Sequence, residues 1–177
     1  MPSGKTHDLV TLALAAPTFA AAWGLTGSLA LSAAATAGCV FGGLMFGPDL
    51  DIQSRQYTRW GVFRFLWLPY KAAFRHRSRW SHGIVFGTLI RVVYFAAVLT
   101  LLLWAFVYAR ALFLTGGAAP GWREVLHVWC LVEEGAAAYG VGPHVLVAAL
   151  AGLWWGAASH TLTDVFWTVV RKGSEIF

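Results

Sequence analysis

The chain has 177 residues, 58% of them hydrophobic and 12% charged, with a formal net charge of +5. Soluble domains carry about twice that charged fraction, and ten Trp with twelve Phe are more apolar surface than one core of this size can hide. A water-soluble globular domain is thereby excluded, and the expected class is an all-α integral membrane protein: a bundle of about four helices forming one domain over residues 1–177.

In chain order, hydropathy predicts spans near Leu9–Trp23, Leu25–Phe46, Ile84–Phe113 and Val145–Val170. The last three are long enough to cross about 30 Å of hydrocarbon. Pro17 interrupts the first, which is therefore expected to be short, tilted or re-entrant and packed on the second. No clear small-residue cleavage site closes its apolar run, so it is expected to be retained rather than removed as a signal peptide. Gly24 and Gly27 predict a tight hairpin after it, and Thr6 or Ser3 is the expected N-cap.

Orientation follows from the loops, because Lys and Arg stay on the cytoplasmic side. Lys5 precedes the first span; Arg55, Arg59, Arg64, Lys71, Arg75, Arg77 and Arg79 lie between the second and third; Arg171 and Lys172 follow the fourth. The opposite connection, Thr115–Gly142, sets Arg123 against Glu124, Glu133 and Glu134. Four crossings therefore predict both termini in the cytoplasm, with the chain in an inner membrane of cytoplasmic or thylakoid type.

Trp60, Phe63, Phe65, Trp67, Tyr70, Phe74 and Trp80 alternate loosely with the arginines of the basic loop. Such a segment is expected in the headgroup plane, rings inward and guanidinium groups toward lipid phosphates. Aromatic and basic side chains also suit single-stranded nucleic acid, but the flanking spans point to anionic lipid, and no nucleic-acid partner is expected. Cys39 and Cys130 form no CxxC pair and are expected to be structural.

The chemistry concentrates at one membrane face. The only aspartates are Asp8, Asp49, Asp51 and Asp164; each lies at the cytoplasmic end of a span, with a histidine or another aspartate within four residues. His7 and Asp8 open the first helix. Gly47-Pro48-Asp49-Leu50-Asp51 ends the second, and Pro48 predicts an extended segment in which Asp49 and Asp51 point to one side. Two carboxylates so placed call for a cation or a shared proton between them.

His76 and His82 precede the third span, with Ser81 the expected N-cap. Arg77 and its neighbours disfavour protonation of these rings, and neutral imidazole is the form a metal takes. His160 and Asp164 are four apart on one face of an otherwise apolar helix, and an ionisable pair inside a span is a functional-site candidate by default. His127, His144, Glu133 and Glu134 lie on the other face, without convergent spacing.

The set Pro2-Ser-Gly-Lys-Thr-His-Asp8, Gly47-Pro-Asp-Leu-Asp51, His76-Arg-Ser-Arg-Trp-Ser-His-Gly83 and Ser159-His-Thr-Leu-Thr-Asp164 resembles a family of bacterial and cyanobacterial membrane metal-binding proteins. More loosely, the order of motifs is similar to the YdjM-like membrane-bound metal-dependent hydrolases, and the His-x-x-x-Asp helix is similar to those of zinc-dependent phospholipase C. Residue by residue, the resemblance implicates His7, Asp8, Asp49, Asp51, His76, His82, His160 and Asp164.

The expected centre is thus a mixed His/Asp site for one or two divalent ions, zinc first and Mn²⁺ or Fe²⁺ after it, because imidazole with carboxylate suits these ions. His7, Asp49, Asp51, His76, His82, His160 and Asp164 are the expected ligands and Asp8 the proton acceptor. Arg75, Arg77 and Arg79 are the expected phosphate contacts. The leading reading is hydrolysis of a phosphoester, with a lipid as the preferred substrate class. The rivals are a non-enzymatic metal-binding or sensing protein, an ion transporter, and a structural subunit. Membrane lipids, further copies of the chain or a membrane complex are the expected partners.

Overall fold

A computed structural model describes residues 2–76, 78–115 and 121–174. Among the described residues all regular structure is helical: α1 (Gly4–Thr26), α2 (Leu29–Leu44), α3 (Arg55–Arg59), α4 (Leu68–Ala73), α5 (Arg79–His82), α6 (Phe86–Arg110), α7 (Trp122–Ala138) and α8 (Pro143–Ser174), with 3₁₀ turns at Pro48–Asp51 and Gly61–Trp67 and a π turn at Ala111–Thr115. Four stretches are long and apolar enough to cross a membrane: Gly4–Thr26, Leu29–Asp51, Phe86–Phe113 and Pro143–Val170.

The first helix is longer than its composition suggests. Ser3 caps it, its hydroxyl accepting from the Thr6 N–H at 3.3 Å, and Pro17 sits inside without ending it, so the helix runs 23 residues. Proline removes one backbone donor and crowds the preceding turn; apolar helices accept this where neighbours compensate. Gly27 ends the helix at φ 61°, its N–H bonding the Trp23 carbonyl, a left-handed cap that glycine adopts without strain. Ser28 then caps α2, and the expected hairpin follows.

The chain forms two compact units: one joins the residues up to Arg91 with those from Pro143 onward, and the other is Val92–Gly142. The second contains α7, a 17-residue helix within the stretch expected only as the connection between the third and fourth spans. Glu124 in its first turn suits the helix dipole. All the motif residues lie in the first unit.

That unit is built on glycine. Gly38 and Gly42 of α2 lie against the Ala149 carbonyl and the Leu153 backbone of α8, while Gly152 and Gly156 of α8 lie against the Ala35 and Cys39 carbonyls of α2. A Cβ at any of the four would overlap backbone. Small residues four apart on both helices let the two backbones touch, and packing of this kind drives helix association in an apolar solvent. α1 lies antiparallel to α2, Thr11 meeting Gly43 and Thr18 meeting Cys39.

The loop after α2 departs from expectation in two ways. Pro48–Asp51 is a 3₁₀ turn, not an extended strand, since proline's fixed φ suits a first helical position as well as an extended one. The aromatic side chains also divide. Trp67 and Tyr70 are fully buried, with Phe46 and Trp60 packed edge-on against Trp67, whereas Phe63, Phe65 and Trp80 are exposed. Trp60, Trp67 and Tyr70 thus join Phe46 in a small aromatic cluster within the basic loop. The Trp60 indole N–H donates to the Met45 carbonyl at 2.9 Å, tying that cluster to the end of α2.

Candidate metal centre

Gly152, Gly156, His160 and Asp164 succeed one another at four-residue intervals on α8 and so share one slowly turning stripe. Where α2 runs alongside, the stripe is glycine. Where α2 has ended at Leu44, it becomes His160 and Asp164. The first turn of α1 supplies His7, and the 3₁₀ turn after α2 supplies Asp49, so residues from both ends of the chain meet at one end of the helices.

The His160 Nε2 stands 3.3 Å from Asp49 Oδ2 and 4.0 Å from Asp164 Oδ2. The His7 Nε2 stands 3.3 Å from Asp164 Oδ1, and its ring stacks on that of His160. On the other side of Asp49, Oδ1 is 3.4 Å from the His82 Nε2. His7, His160 and Asp164 place one donor atom each within 4.8 Å of one another, and so do Asp49, His76 and His82.

These gaps fit a cation. Charge-assisted N–H···O contacts close to about 2.7–2.9 Å, whereas donors held about 2.0–2.1 Å from one tetrahedral ion stand about 3.3–3.4 Å from each other. The His160–Asp49, His82–Asp49 and His7–Asp164 contacts have the second spacing, and His160–Asp164 is wider at 4.0 Å. The His7 Nδ1 is buried without a hydrogen-bond partner among the described residues, so this ring is held by stacking and by its Nε2 face alone.

Asp51 behaves differently from its expected role as a ligand. Its side chain is wholly buried, with Oδ1 2.9 Å from the His76 Nδ1 and Oδ2 3.7 Å from the His82 Nδ1. A carboxylate accepts, so the His76 Nδ1 carries the proton and its Nε2 is left free. The Ser81 hydroxyl has one hydrogen, directed at the Arg75 carbonyl at 3.1 Å, so at 3.0 Å it accepts from the His82 Nδ1. Both rings are thereby turned with Nε2 available, His76 by the buried carboxylate and His82 by the Ser81 hydroxyl, outer-shell contacts of the kind that orient metal-binding histidines.

Ser81 is therefore not the N-cap of the third span; it lies within α5, and its carbonyl accepts at 2.7 Å from the buried guanidinium of Arg91. Arg91 also donates to the Thr88 hydroxyl at 3.1 Å. Burial pushes the nearby Tyr70 phenol pKa up.

Sequence reasoning passed over Gln56. Its amide Nε2 donates to the Gly43 carbonyl at 2.7 Å, its Oε1 accepts from the Asp49 N–H at 3.2 Å, and Nε2 lies 3.3 Å from the His160 Nδ1. One buried amide thus fixes the end of α2, the backbone of Asp49 and the ring of His160. A Cβ at Gly47 would overlap it, which accounts for that glycine. Nothing in the composition of a five-residue polar helix marks such a residue; only its burial does.

Asp8 lies outside both donor groups. Both of its oxygens accept from Arg59, at 2.8 and 2.7 Å, and Oδ2 also pairs with Arg55 at 2.8 Å. The bond from Asp8 raises the Arg59 pKa above its ordinary value. A further Arg59 contact, 2.8 Å to the Leu44 carbonyl, closes the end of α2. Asp8 and Arg55 also wall a cavity of about 20 Å³ shared with His7, His160, Asp49 and Gln56, room for about one water molecule. Of the expected phosphate contacts, Arg75 is exposed, Arg77 lies outside the described residues, and Arg79 is in α5 with its side chain outside them. His127, Glu133 and Glu134 are on α7 and, like His144, belong to neither donor group.

Fold and donor set together give an all-helical protein with two His/Asp groups that could hold a metal ion, gathered where α1 begins and α2 has ended beside α8. The chain belongs to the family described as uncharacterized metal-binding protein (DUF2227), whose model matches residues 2–173. It is also similar to an uncharacterized protein of Aquifex aeolicus (strain VF5), with 36% identity over 58 residues, 32% of this chain and 40% of that one. The chain thus aligns with about two fifths of that relative's length. No solved structure matches.

Proposed function

We propose that the protein is a membrane-bound, metal-dependent hydrolase of phosphoesters, with a phospholipid as substrate and zinc as the ion, its centre and both termini at the cytoplasmic face of an inner or thylakoid-type membrane. The observation that carries the reading is the meeting of His7, Asp49, His76, His82, His160 and Asp164 at ligand spacing beside a water-sized cavity walled by Arg55. Family membership supports the metal, and the absence of thiolate from the donor set favours zinc, Mn²⁺ or Fe²⁺ bound through N and O.

When bound, a divalent ion supplies Lewis acidity toward a phosphoryl oxygen and an attacking water. The remaining parts are the chain's own. Arg55, about half exposed and steadied by Asp8, is placed to meet a phosphate oxygen with a planar, bidentate donor pair. Asp8 is then a positioning residue rather than the proton acceptor.

The lipid assignment draws on two apolar cavities of about 370 and 330 Å³ along α1 and α8. The first begins beside Ser159 and Thr163, next to the donor residues, and both include Leu14 and Trp155. An acyl chain fits such a lining. The likeness of the motif order to the YdjM-like hydrolases points the same way.

The test is turnover by purified, zinc-loaded protein in detergent on phospholipid and on a soluble aryl phosphate. Hydrolysis that a chelator abolishes and zinc restores is expected. Full metal occupancy without turnover across phospholipid, nucleotide and peptide panels favours the metal-binding or sensing role, to which the small volume beside the ligands is also suited.

A further inference from the structure

We infer that the centre holds two divalent cations, with Asp49 as the carboxylate shared between them, and that the two positions are unequal. The inference rests on the metal-binding part of the reading above and not on hydrolysis.

Asp49 is divided between two sets of donors. Its Oδ2 faces the His160 Nε2 at 3.3 Å and its Oδ1 faces the His82 Nε2 at 3.4 Å. His7 and Asp164 stand with His160, and His76 stands with His82. A single tetrahedral ion takes four ligands, too few to employ donors on both sides of one carboxylate. A carboxylate with one oxygen turned to each of two imidazole groups instead has the form of a bridge between ions about 3.5–4 Å apart, the spacing of two-metal sites.

The second position also has its own support. Asp51 is wholly buried; its Oδ1 takes the His76 Nδ1–H, while its Oδ2, 3.7 Å from the His82 Nδ1, has no hydrogen-bond partner among the described residues, and Ser81 holds the His82 Nδ1, leaving both Nε2 atoms for an ion. Burying a carboxylate with one oxygen unpartnered beside two rings is costly unless those rings hold charge of the opposite sign. A second ion provides it.

The two positions differ in protein ligands. His7, His160, Asp164 and Asp49 give the first four; His76, His82 and Asp49 give the second three. Four protein ligands close a tetrahedral site, and three leave a coordination position open. The first cation is therefore held and the second is exchangeable, and the open coordination position is on the His76 and His82 side.

The test is metal content and electron paramagnetic resonance of full-length protein in detergent, stripped with a chelator and reloaded with Mn²⁺. Wild-type protein is expected to hold two ions per chain and to give the broadened spectrum of an exchange-coupled pair. His76→Ala should hold one and give the six-line signal of an isolated ion; His127→Ala, on α7, should still hold two. Helical circular dichroism confirms that each variant is folded, and Asp51→Asn, which keeps every ligand, should hold the first ion while the second is lost at about tenfold or more lower chelator concentration. One ion in saturated wild type, or two ions with six-line spectra only, overturns the shared carboxylate while leaving metal binding intact. No retained ion overturns both.

Discussion

His7 and His160, from opposite ends of the chain, lie face to face with ring centroids 3.6 Å apart and planes 8° from parallel. The stack holds the two rings side by side, and neutral imidazole is the form that metal coordination uses. Replacing either ring removes a donor and exposes the face of the other. His160→Ala is expected to lower metal occupancy by more than tenfold at limiting metal, measured by elemental analysis after gel filtration. Unchanged occupancy would remove His160 from the ligand set.

Asp8 and Asp51 have opposite consequences although both are carboxylates beside a motif histidine. Asp8→Asn should keep the metal but release Arg55 and Arg59, costing about 1–3 kcal/mol of stability and raising KM for a phosphoester through Arg55. Thermal melting, metal analysis and kinetics on one preparation separate these effects. Loss of metal in Asp8→Asn would make Asp8 a ligand after all.

The α2–α8 contact is expected to be intolerant of any side chain at four positions. Gly42→Val or Gly156→Val forces the Leu153 or Cys39 backbone away, an overpacking that costs about 1–3 kcal/mol or more, and moves His160 from Asp49. Gly24→Val meets nothing within 4 Å and serves as the control. Melting temperature and metal content should fall together in the first two variants only.

Topology can be read from the native cysteines. Cys130 is exposed on α7 and Cys39 is buried against α8, so a membrane-impermeant maleimide applied to intact cells should label Cys130 and spare Cys39. A cysteine placed at Arg59 should react only after permeabilisation. Labelling of both from the same side would sink the four-span arrangement with cytoplasmic termini.

The long apolar helices were legible because about twenty apolar residues have few other uses, and the convergent His and Asp residues because ionisable groups at the ends of such spans are expensive without a purpose. Asp51 was not separable from Asp49 by type or spacing: the 3₁₀ turn directs Asp49 to the Nε2 face of His82 and His160, and Asp51 to the Nδ1 face of His76 and His82. Gln56 and Arg59 were missed for a related reason. Their work is to hold the candidate ligands and backbone by hydrogen bonds across long sequence distances, and no local pattern records a partner that far away. Pro17 misled in the other direction, since a rule about hydrogen-bond loss in water overstates the penalty within packed apolar helices.

The run Gly152, Gly156, His160, Asp164 makes the metal centre a matter of phase. One inserted residue between Gly156 and His160 would turn every later side chain of α8 by about 100°, sending both donors away from Asp49 while leaving the helix as apolar as before and only one residue longer. Hydropathy would register no change, and neither would helix content. The chemistry is therefore encoded in the arithmetic of the helix as much as in the identity of its residues, and chains of similar composition whose α8 is out of step by one should insert normally and bind no metal.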